Sequence, residues 1–214
     1  MESNEENNNL VLCSDFHHAY SRLTSSGENA NEEQVLCLVE VNDIDSSFSI
    51  WRENKELKCK YNGNFFNVID RDSTKTLVKF KSYPTFVRYN CVDELNASIL
   101  HLVCYFGLSE FVEDFISPQN CRQPGNFSYT PLHYACMNPM NPLRPGDLKT
   151  IQEIIKVAGP EACTDKSVHG FYPINYTHND EVVQYLQEVE TQLENDNFPA
   201  GVTFELGPGV KLVQ

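Results

Sequence analysis

Eight cysteines are the side chains of this 214-residue sequence with the widest chemistry. A thiolate binds metals, attacks electrophiles or pairs in a disulfide, and the metal and redox uses favour a second cysteine close by in the sequence. No two cysteines form a Cys-x-x-Cys motif. We therefore expect free thiols, no structural metal and no cofactor.

Catalytic motifs are equally hard to find. The sequence has no glycine-rich phosphate loop, no paired-carboxylate motif and no nucleophile placed beside a base. His101 and His133 recur within a repeated motif, which indicates a structural role. We predict that the protein is not an enzyme and has no catalytic residues.

The charge distribution bears on the kind of partner. The net charge is −14, from 16 basic and 30 acidic residues, and residues 57–95 form a basic island of net +3 between acidic flanks. Nucleic-acid binding through 57–95 is one interpretation, but such proteins usually present a strongly basic face. A solvated strand surface is the interpretation we favour.

The apolar runs and the start of the chain bear on its location. No apolar run is long enough to span a bilayer, and the first nine residues, MESNEENNN, are acidic and polar. A secretory signal requires a basic start and a longer apolar segment. We expect a cytoplasmic or nuclear protein that does not bind membranes.

Short strands are predicted in the first half of the chain. Residues 1–34 read as largely disordered, with a short helix from Phe16 to Leu23. The alternating pattern that begins at Val35 is apolar on both faces and favours a buried strand. Further strands are predicted at 48–51, 57–61, 65–70 and 76–80, with a turn at 62–64. Closely spaced short strands predict a small β-barrel over residues 35–95.

Within this segment, residues 57–95 resemble Tudor domains. The relevant stretches are Lys58-Cys59-Lys60-Tyr61, Asn64-Phe65-Phe66-Asn67-Val68 and Val78-Lys79-Phe80-Lys81-Ser82-Tyr83. In that family four aromatic residues form a cage for methylated arginine or lysine, whose cation is attracted to the ring faces. The resemblance implies cage residues at Tyr61, Phe66, Phe80 and Tyr83. Phe65 is the alternative to Phe66, and a purely structural aromatic core is the alternative to the cage.

A repeat follows. Ser98-Ile99-Leu100-His101 is matched 32 residues later by Thr130-Pro131-Leu132-His133, and a weaker copy begins near His169 with Asn175 in place of the histidine. Helical apolar spacing follows the first copy, Gly107 separates its two helices, and Pro118 ends them. The third copy has a first helix that is about three residues short.

These residues resemble ankyrin repeats over about 96–190, with a C-terminal tail at 191–214. Thr-Pro-Leu-His is the signature of that family. The resemblance implies a stack of about three helical repeats, the last degenerate, which binds proteins through its loop tips and concave face. It implies no chemistry and no particular partner.

The second repeat carries a proline-rich insertion at 138–147. Its prolines cannot lie inside helices, so a loop is predicted there. The candidates for partner contact are Asn138, Met140, Leu143 and Arg144. A loop that merely tolerates variation is the alternative.

Together these features predict an α+β protein, in which a small SH3-like or Tudor-like β-barrel precedes a short ankyrin-repeat stack. Its expected function is that of a non-enzymatic adaptor. The stack would bind a partner protein, and the barrel would read a methylated tail in a ribonucleoprotein or RNA-silencing assembly. The alternatives are a plain ankyrin adaptor with a structural barrel, or the nucleic-acid site described above.

Overall fold

A four-stranded mixed sheet forms the first half of the molecule. The computed structural model describes residues 9–13, 15–25, 33–41, 44–70, 72–137 and 146–197. The strands are β1 (Asn9–Cys13), β2 (Glu33–Val41), β3 (Ile44–Glu53) and β4 (Glu56–Tyr61), in the spatial order β1-β2-β3-β4. β1 is parallel to β2, and the other neighbours are antiparallel. The strands predicted near Val35, 48–51 and 57–61 are thereby confirmed, whereas β1 was not predicted.

One face of the sheet is buried under the first helix. Cys37 lies opposite Phe48 and Val35 lies opposite Ile50, and none of the four side chains is exposed to solvent. Helix α1 (Phe16–Ser25) covers this face. Its buried residues Phe16, Ala19 and Leu23 are three and four positions apart, which places them on one side of a helix. The predicted helix at Phe16 to Leu23 is confirmed.

The predicted barrel does not form among the residues that the structure describes. The sheet is open, with β1 and β4 at opposite edges. The segments predicted as strands at 65–70 and 76–80 are a 3-10 turn at Phe65–Asn67 and helix α2 (Thr74–Lys81), which is followed by helix α3 (Thr85–Asn90).

The error at α2 has a simple cause. Thr76, Val78 and Phe80 fit the period of a strand, but Leu77 and Phe80 fit the period of a helix. The structure buries Leu77 and Phe80 completely and leaves Val78 56% exposed. The packing has thus selected the helical period.

The second half of the molecule consists of three helical units stacked side by side. The helices are α4 (Ile99–Tyr105), α5 (Ser109–Phe115), α6 (Pro131–Cys136), α7 (Gly146–Ala158) and α8 (Asp180–Asn197), and α8 is preceded by a 3-10 turn at Pro173–Tyr176. The first elements of the units pack on one another, as do the second ones. Helix α8 continues past position 190, where the repeat segment was predicted to end. Across the described residues the chain therefore has the predicted α+β class.

One hydrophobic core runs through both halves. At the junction, the buried Asp93 carboxylate accepts N–H groups from Phe65, Leu95 and Ala97, each at 2.9 Å. These bonds join the end of the sheet region to the start of α4. The sheet and the stack consequently share buried side chains instead of being connected by a linker.

All eight cysteines are free thiols, and all except Cys13 are buried. Burial raises the pKa of Cys37 to about 12, and it raises the pKa of Cys59 well above its usual value, so both remain protonated at neutral pH. No helix in the described part of the chain has the length and apolar character needed to cross a membrane.

Candidate protein-binding surface

The three units begin with the same type of hydrogen-bonded turn. The backbone N–H of Ser98 donates to His101 Nδ1 at 3.0 Å, and that of Thr130 donates to His133 Nδ1 at 3.2 Å. In the third unit the N–H of Tyr172 donates to Asn175 Oδ1 at 2.8 Å. Each side chain therefore satisfies a backbone N–H group at the start of a helical element, where such groups lack helical partners.

The two histidines also connect successive units. His101 Nε2 lies 3.1 Å from the carbonyl of Gln123 and 3.2 Å from that of Tyr129, and His133 Nε2 lies 3.3 Å from the carbonyl of Phe171. Because Nδ1 accepts a backbone N–H group, the neutral ring carries its proton on Nε2 and donates it to these carbonyls. Burial lowers the pKa of His101 to about 4, which keeps the ring neutral at physiological pH.

This bonding places aromatic residues at the same point of two successive units. Tyr129 and Phe171 directly precede Thr130 and Tyr172, the first residues of the second and third motifs. The histidine of the preceding unit holds the carbonyl of each aromatic residue. Their rings are consequently anchored at the edge of the stack instead of moving with a free loop.

The rings form a continuous series along the stack. Successive ring centroids are separated by 5.2, 6.2, 6.3, 5.4 and 6.1 Å, distances at which aromatic pairs attract one another. We call this series the aromatic ladder, and in order it consists of Phe66, Tyr105, Tyr134, Tyr129, Tyr176 and Phe171. It runs from the sheet region to the third unit.

Most rings of the ladder reach solvent. Phe171 is 53% exposed and Phe66 37% exposed, and Tyr105, Tyr129 and Tyr176 are partly buried. Phe127, 52% exposed, extends the surface beside Tyr129 at 5.9 Å. Large apolar side chains that adjoin one another at the surface commonly mark interaction sites.

Two hydroxyl groups of the ladder, those of Tyr129 and Tyr134, are neutral at physiological pH. Tyr176 donates to the Tyr129 hydroxyl at 3.5 Å, and this hydrogen bond together with burial raises the pKa of Tyr129 to about 12. Burial raises the pKa of Tyr134 to about 12 as well. At Tyr129 and Tyr134 the ladder thus combines an apolar ring with an uncharged polar tip, and tyrosine is enriched in protein interfaces.

Three of the four residues predicted to form a methyl-ligand cage are buried around another aromatic ring. Tyr61, Phe80 and Tyr83 are buried, and Phe48, which is fully buried, lies among them with ring-centroid distances of 4.9, 6.4 and 6.1 Å. A ligand cannot enter between these three rings because Phe48 occupies that space.

The two adjacent phenylalanines point in different directions. Phe66 is partly exposed and contacts Tyr105 and Phe106, so it belongs to the ladder. Phe65, the alternative cage residue, stacks on Tyr61 at 4.7 Å but is fully buried. The candidate residues therefore do not converge on a solvent-open pocket, and three of them form part of an aromatic core.

The remaining candidates are distributed as follows. Asn138, Met140, Leu143 and Arg144 lie outside the described residues. Within the basic island, Lys58 pairs with Glu56 at 2.8 Å, and Lys81 of α2 pairs with Asp114 at 2.7 Å. In the ranges that the structure covers, no three histidine, cysteine or acidic side chains lie close enough together to hold a metal ion.

Comparison with models of known protein families gave no match, and comparison with curated proteins gave none. The surface therefore has to be interpreted from its own geometry.

Sequence reasoning missed most of the ladder. It treated the histidine motifs as a structural signature and did not consider the residue directly before them. An aromatic residue occupies that position in the second and third copies, as Tyr129 and Phe171. An aromatic residue at the same position of two repeats was the sequence feature that could have predicted the ladder.

Proposed function

We propose that the protein is a non-enzymatic adaptor whose three helical units form an ankyrin-type stack that binds a partner protein. The paired helices, the repeated Ser/Thr–His turns and the histidine bonds between units support the ankyrin assignment. The first helices of the units pack on one another, as expected for repeats that bury a continuous core.

The aromatic ladder is the observation that carries this proposal. Protein interfaces derive much of their affinity from a few large rings with restricted side-chain freedom. The ladder presents such rings across all three units, and their neighbours hold them in place. A partner that covers Tyr105, Tyr129 and Phe171 would remove their exposed ring surface from water at little further cost in side-chain entropy.

The sheet region has a structural part in this function. Its aromatic residues Tyr61, Phe80 and Tyr83 are buried, so the geometry gives no support to the recognition of a methylated tail there. The proposed function is therefore that of the plain ankyrin adaptor, in a cytoplasmic or nuclear setting.

Affinity capture followed by direct binding tests the adaptor function. We would identify proteins that bind the full-length chain and measure their affinity for a variant carrying Tyr105→Ser, Phe127→Ser and Phe171→Ser. Loss of interface aromatic residues costs roughly 2 kcal/mol at an energetic hot spot, so we expect affinity to fall at least tenfold.

A control variant carrying Val78→Ser and Val157→Ser removes exposed apolar side chains from helices α2 and α7, outside the ladder. It should bind like the unmodified protein. Equal affinity of a direct partner for the ladder variant and the unmodified protein, with both folded by circular dichroism, would refute the proposed surface.

A further inference from the structure

A groove runs along the outer edge of β4, away from the aromatic ladder. Its volume is about 750 Å³, and we call it the edge groove. Strand β4 forms one wall, and α3 with the segment before α6 forms the other. Its lining residues on the strand side include Trp51, Arg52, Leu57 and Lys58, and those opposite include Phe86 and Asn90.

The edge of β4 is only partly paired. Val92 forms a parallel bridge with Lys60, in which its N–H donates to the Cys59 carbonyl at 3.5 Å and its carbonyl accepts the Tyr61 N–H at 2.8 Å. At that end the chain itself supplies one residue of a fifth strand. On the other side of Val92, the edge of β4 at residues 57–59 borders the groove.

The backbone groups that face the groove follow from strand geometry. Successive residues of a strand direct their N–H and carbonyl groups to opposite sides. Because the Tyr61 N–H points away from β3, the N–H groups of Leu57 and Cys59 and the carbonyl of Leu57 point away from β3 as well. Among the described residues, none of these three groups has a recorded hydrogen-bond partner. They are available to a further strand.

The residues that line the groove determine which side chains an added strand could place there. Trp51, Leu57 and Phe86 are partly buried, and the Phe86 ring lies 5.9 Å from that of Tyr20. Leu57 pairs with Arg52 on the face that α1 covers, and Trp51 lies on the opposite face. Apolar side chains on one face of an extended peptide can therefore pack on Leu57 and Phe86. Side chains on the other face of the peptide would lie near Lys58 and Trp51, which pair across β3 and β4 on the same face of the sheet.

The charged residues favour acidic side chains. The Arg52 guanidinium donates to the carbonyls of Leu23 and Lys55, at 2.7 and 3.3 Å, and these bonds fix its position without neutralising its charge. Lys58 is 40% exposed beside Glu56. The charged lining residues are three basic ones, Arg52, Lys55 and Lys58, and one acidic one, Glu56. The groove therefore carries a net positive charge, although the chain as a whole has a net charge of −14.

We infer that the edge groove binds an extended acidic peptide of a partner protein, which adds a strand to the free edge of β4. The peptide backbone pairs with Leu57 and Cys59, its apolar side chains pack on Leu57 and Phe86, and its carboxylates face Lys58. Addition of a strand at an exposed sheet edge is a common mode of peptide recognition. This site is separate from the ladder, so the protein has two binding surfaces of different chemistry.

Fluorescence anisotropy tests the inference with the full-length protein and a labelled octapeptide of alternating glutamate and valine. We expect saturable binding that weakens as salt rises, because the charged contacts are partly exposed. On binding, the amide protons of Leu57 and Cys59 should gain protection from hydrogen exchange. Lys58→Glu should weaken binding about tenfold, since the variant repels the peptide.

Lys60→Glu is the matched control. Lys60 lies on the same strand and is exposed, but it does not line the groove, so its reversal should change the affinity less than twofold. A peptide methylated on alternate backbone nitrogens, with unchanged charge, should bind at least tenfold more weakly because it cannot pair with β4.

Several outcomes would overturn the inference. These are an absence of binding, equal effects of the two lysine variants, equal affinity for the methylated peptide, or tighter binding of an alternating lysine–valine peptide. Displacement of the peptide by single-stranded RNA of higher affinity would assign the groove to phosphate recognition instead.

Discussion

In Tyr83 the aromatic ring and the hydroxyl group have opposite effects on stability. Its ring packs against Phe16 at 4.3 Å and Phe80 at 5.5 Å. Its hydroxyl is buried and has no hydrogen-bond partner in the described part of the structure. Burial raises its pKa above the usual value, so the group stays neutral. The ring contributes to the core, whereas the hydroxyl contributes nothing that offsets its loss of solvation.

Two substitutions at this residue should therefore differ sharply. We expect Tyr83→Ala to lower the free energy of unfolding by about 3–5 kcal/mol, as for other truncations of buried aromatic residues. We expect Tyr83→Phe to be neutral or to stabilise by up to about 1 kcal/mol, because it removes an unpaired polar group. Urea denaturation of both variants measures these differences.

Tyr61→Phe is the control for this comparison. Tyr61 is also buried, but its hydroxyl lies 3.2 Å from Ser46 Oγ, so its removal should cost about 1 kcal/mol. A loss at Tyr83→Phe as large as that at Tyr61→Phe would show that the Tyr83 hydroxyl is paired in solution.

At the scale of elements, each of the two motif histidines links neighbouring helical units through its two ring nitrogens. One ring nitrogen caps its own helix and the other bonds to the next unit. Among the described residues, Asn175 performs only the first of these tasks in the third unit. The element that it caps is a four-residue 3-10 turn, shorter than the six-residue α6.

His101→Asn should separate the two tasks. Asparagine can retain the cap, as in the third unit, but it cannot reach the carbonyls of Gln123 and Tyr129. We expect the free energy of unfolding at pH 7 to fall by about 1–3 kcal/mol, the usual cost of leaving buried polar groups unpaired.

The pH dependence gives a second readout of the same variant. In the unfolded chain His101 binds a proton near pH 6.5, but in the folded protein it does so only near pH 4. The unfolded state therefore binds more protons between these values, so stability is full above pH 6.5 and declines as the pH falls. This residue alone should account for about 2 kcal/mol of lost stability between pH 7 and pH 5.

Burial also lowers the pKa of His133, which adds a loss of the same sign. His101→Asn should remove its own share and so flatten the profile measured by denaturation at several pH values. Parallel profiles for the variant and the unmodified protein would contradict the assignment of a neutral, buried His101.

At the scale of the whole molecule, hydrogen bonds and a shared core join the sheet to the helical stack. Arg88 of α3 donates to the Asp114 carbonyl at 2.9 Å, and Asn120 donates to the Tyr89 carbonyl at 3.1 Å. The buried side chains of both halves belong to one hydrophobic cluster. A short stack usually requires capping of its ends, and the sheet region covers the end that α4 would otherwise expose.

We therefore expect a 96–214 fragment to lose cooperative unfolding. Each large apolar side chain that it exposes costs about 1.5–3 kcal/mol, and a few of them equal the total stability of a typical domain. Thermal denaturation followed by circular dichroism should show one transition for the full chain and no sharp transition for the fragment. A fragment that melts cooperatively at the same temperature would show that the stack is independent.

The sequence by itself determined the elements whose signal is local. The Thr-Pro-Leu-His motif and its copy near Ser98 predicted where α4 and α6 begin, because capping involves residues within one turn. The alternation in β2 was equally local. These predictions required no knowledge of the rest of the chain.

Only the tertiary structure decided the environment of each aromatic ring. Phe65 and Phe66 are identical neighbours, yet one is fully buried against Tyr61 and the other joins the ladder beside Tyr105. Likewise, the sequence of residues 74–81 is compatible with a strand and with a helix. The burial of Leu77 and Phe80 in the structure selects the helix. Burial depends on which distant surface covers a side chain, and short-range spacing carries no record of that surface.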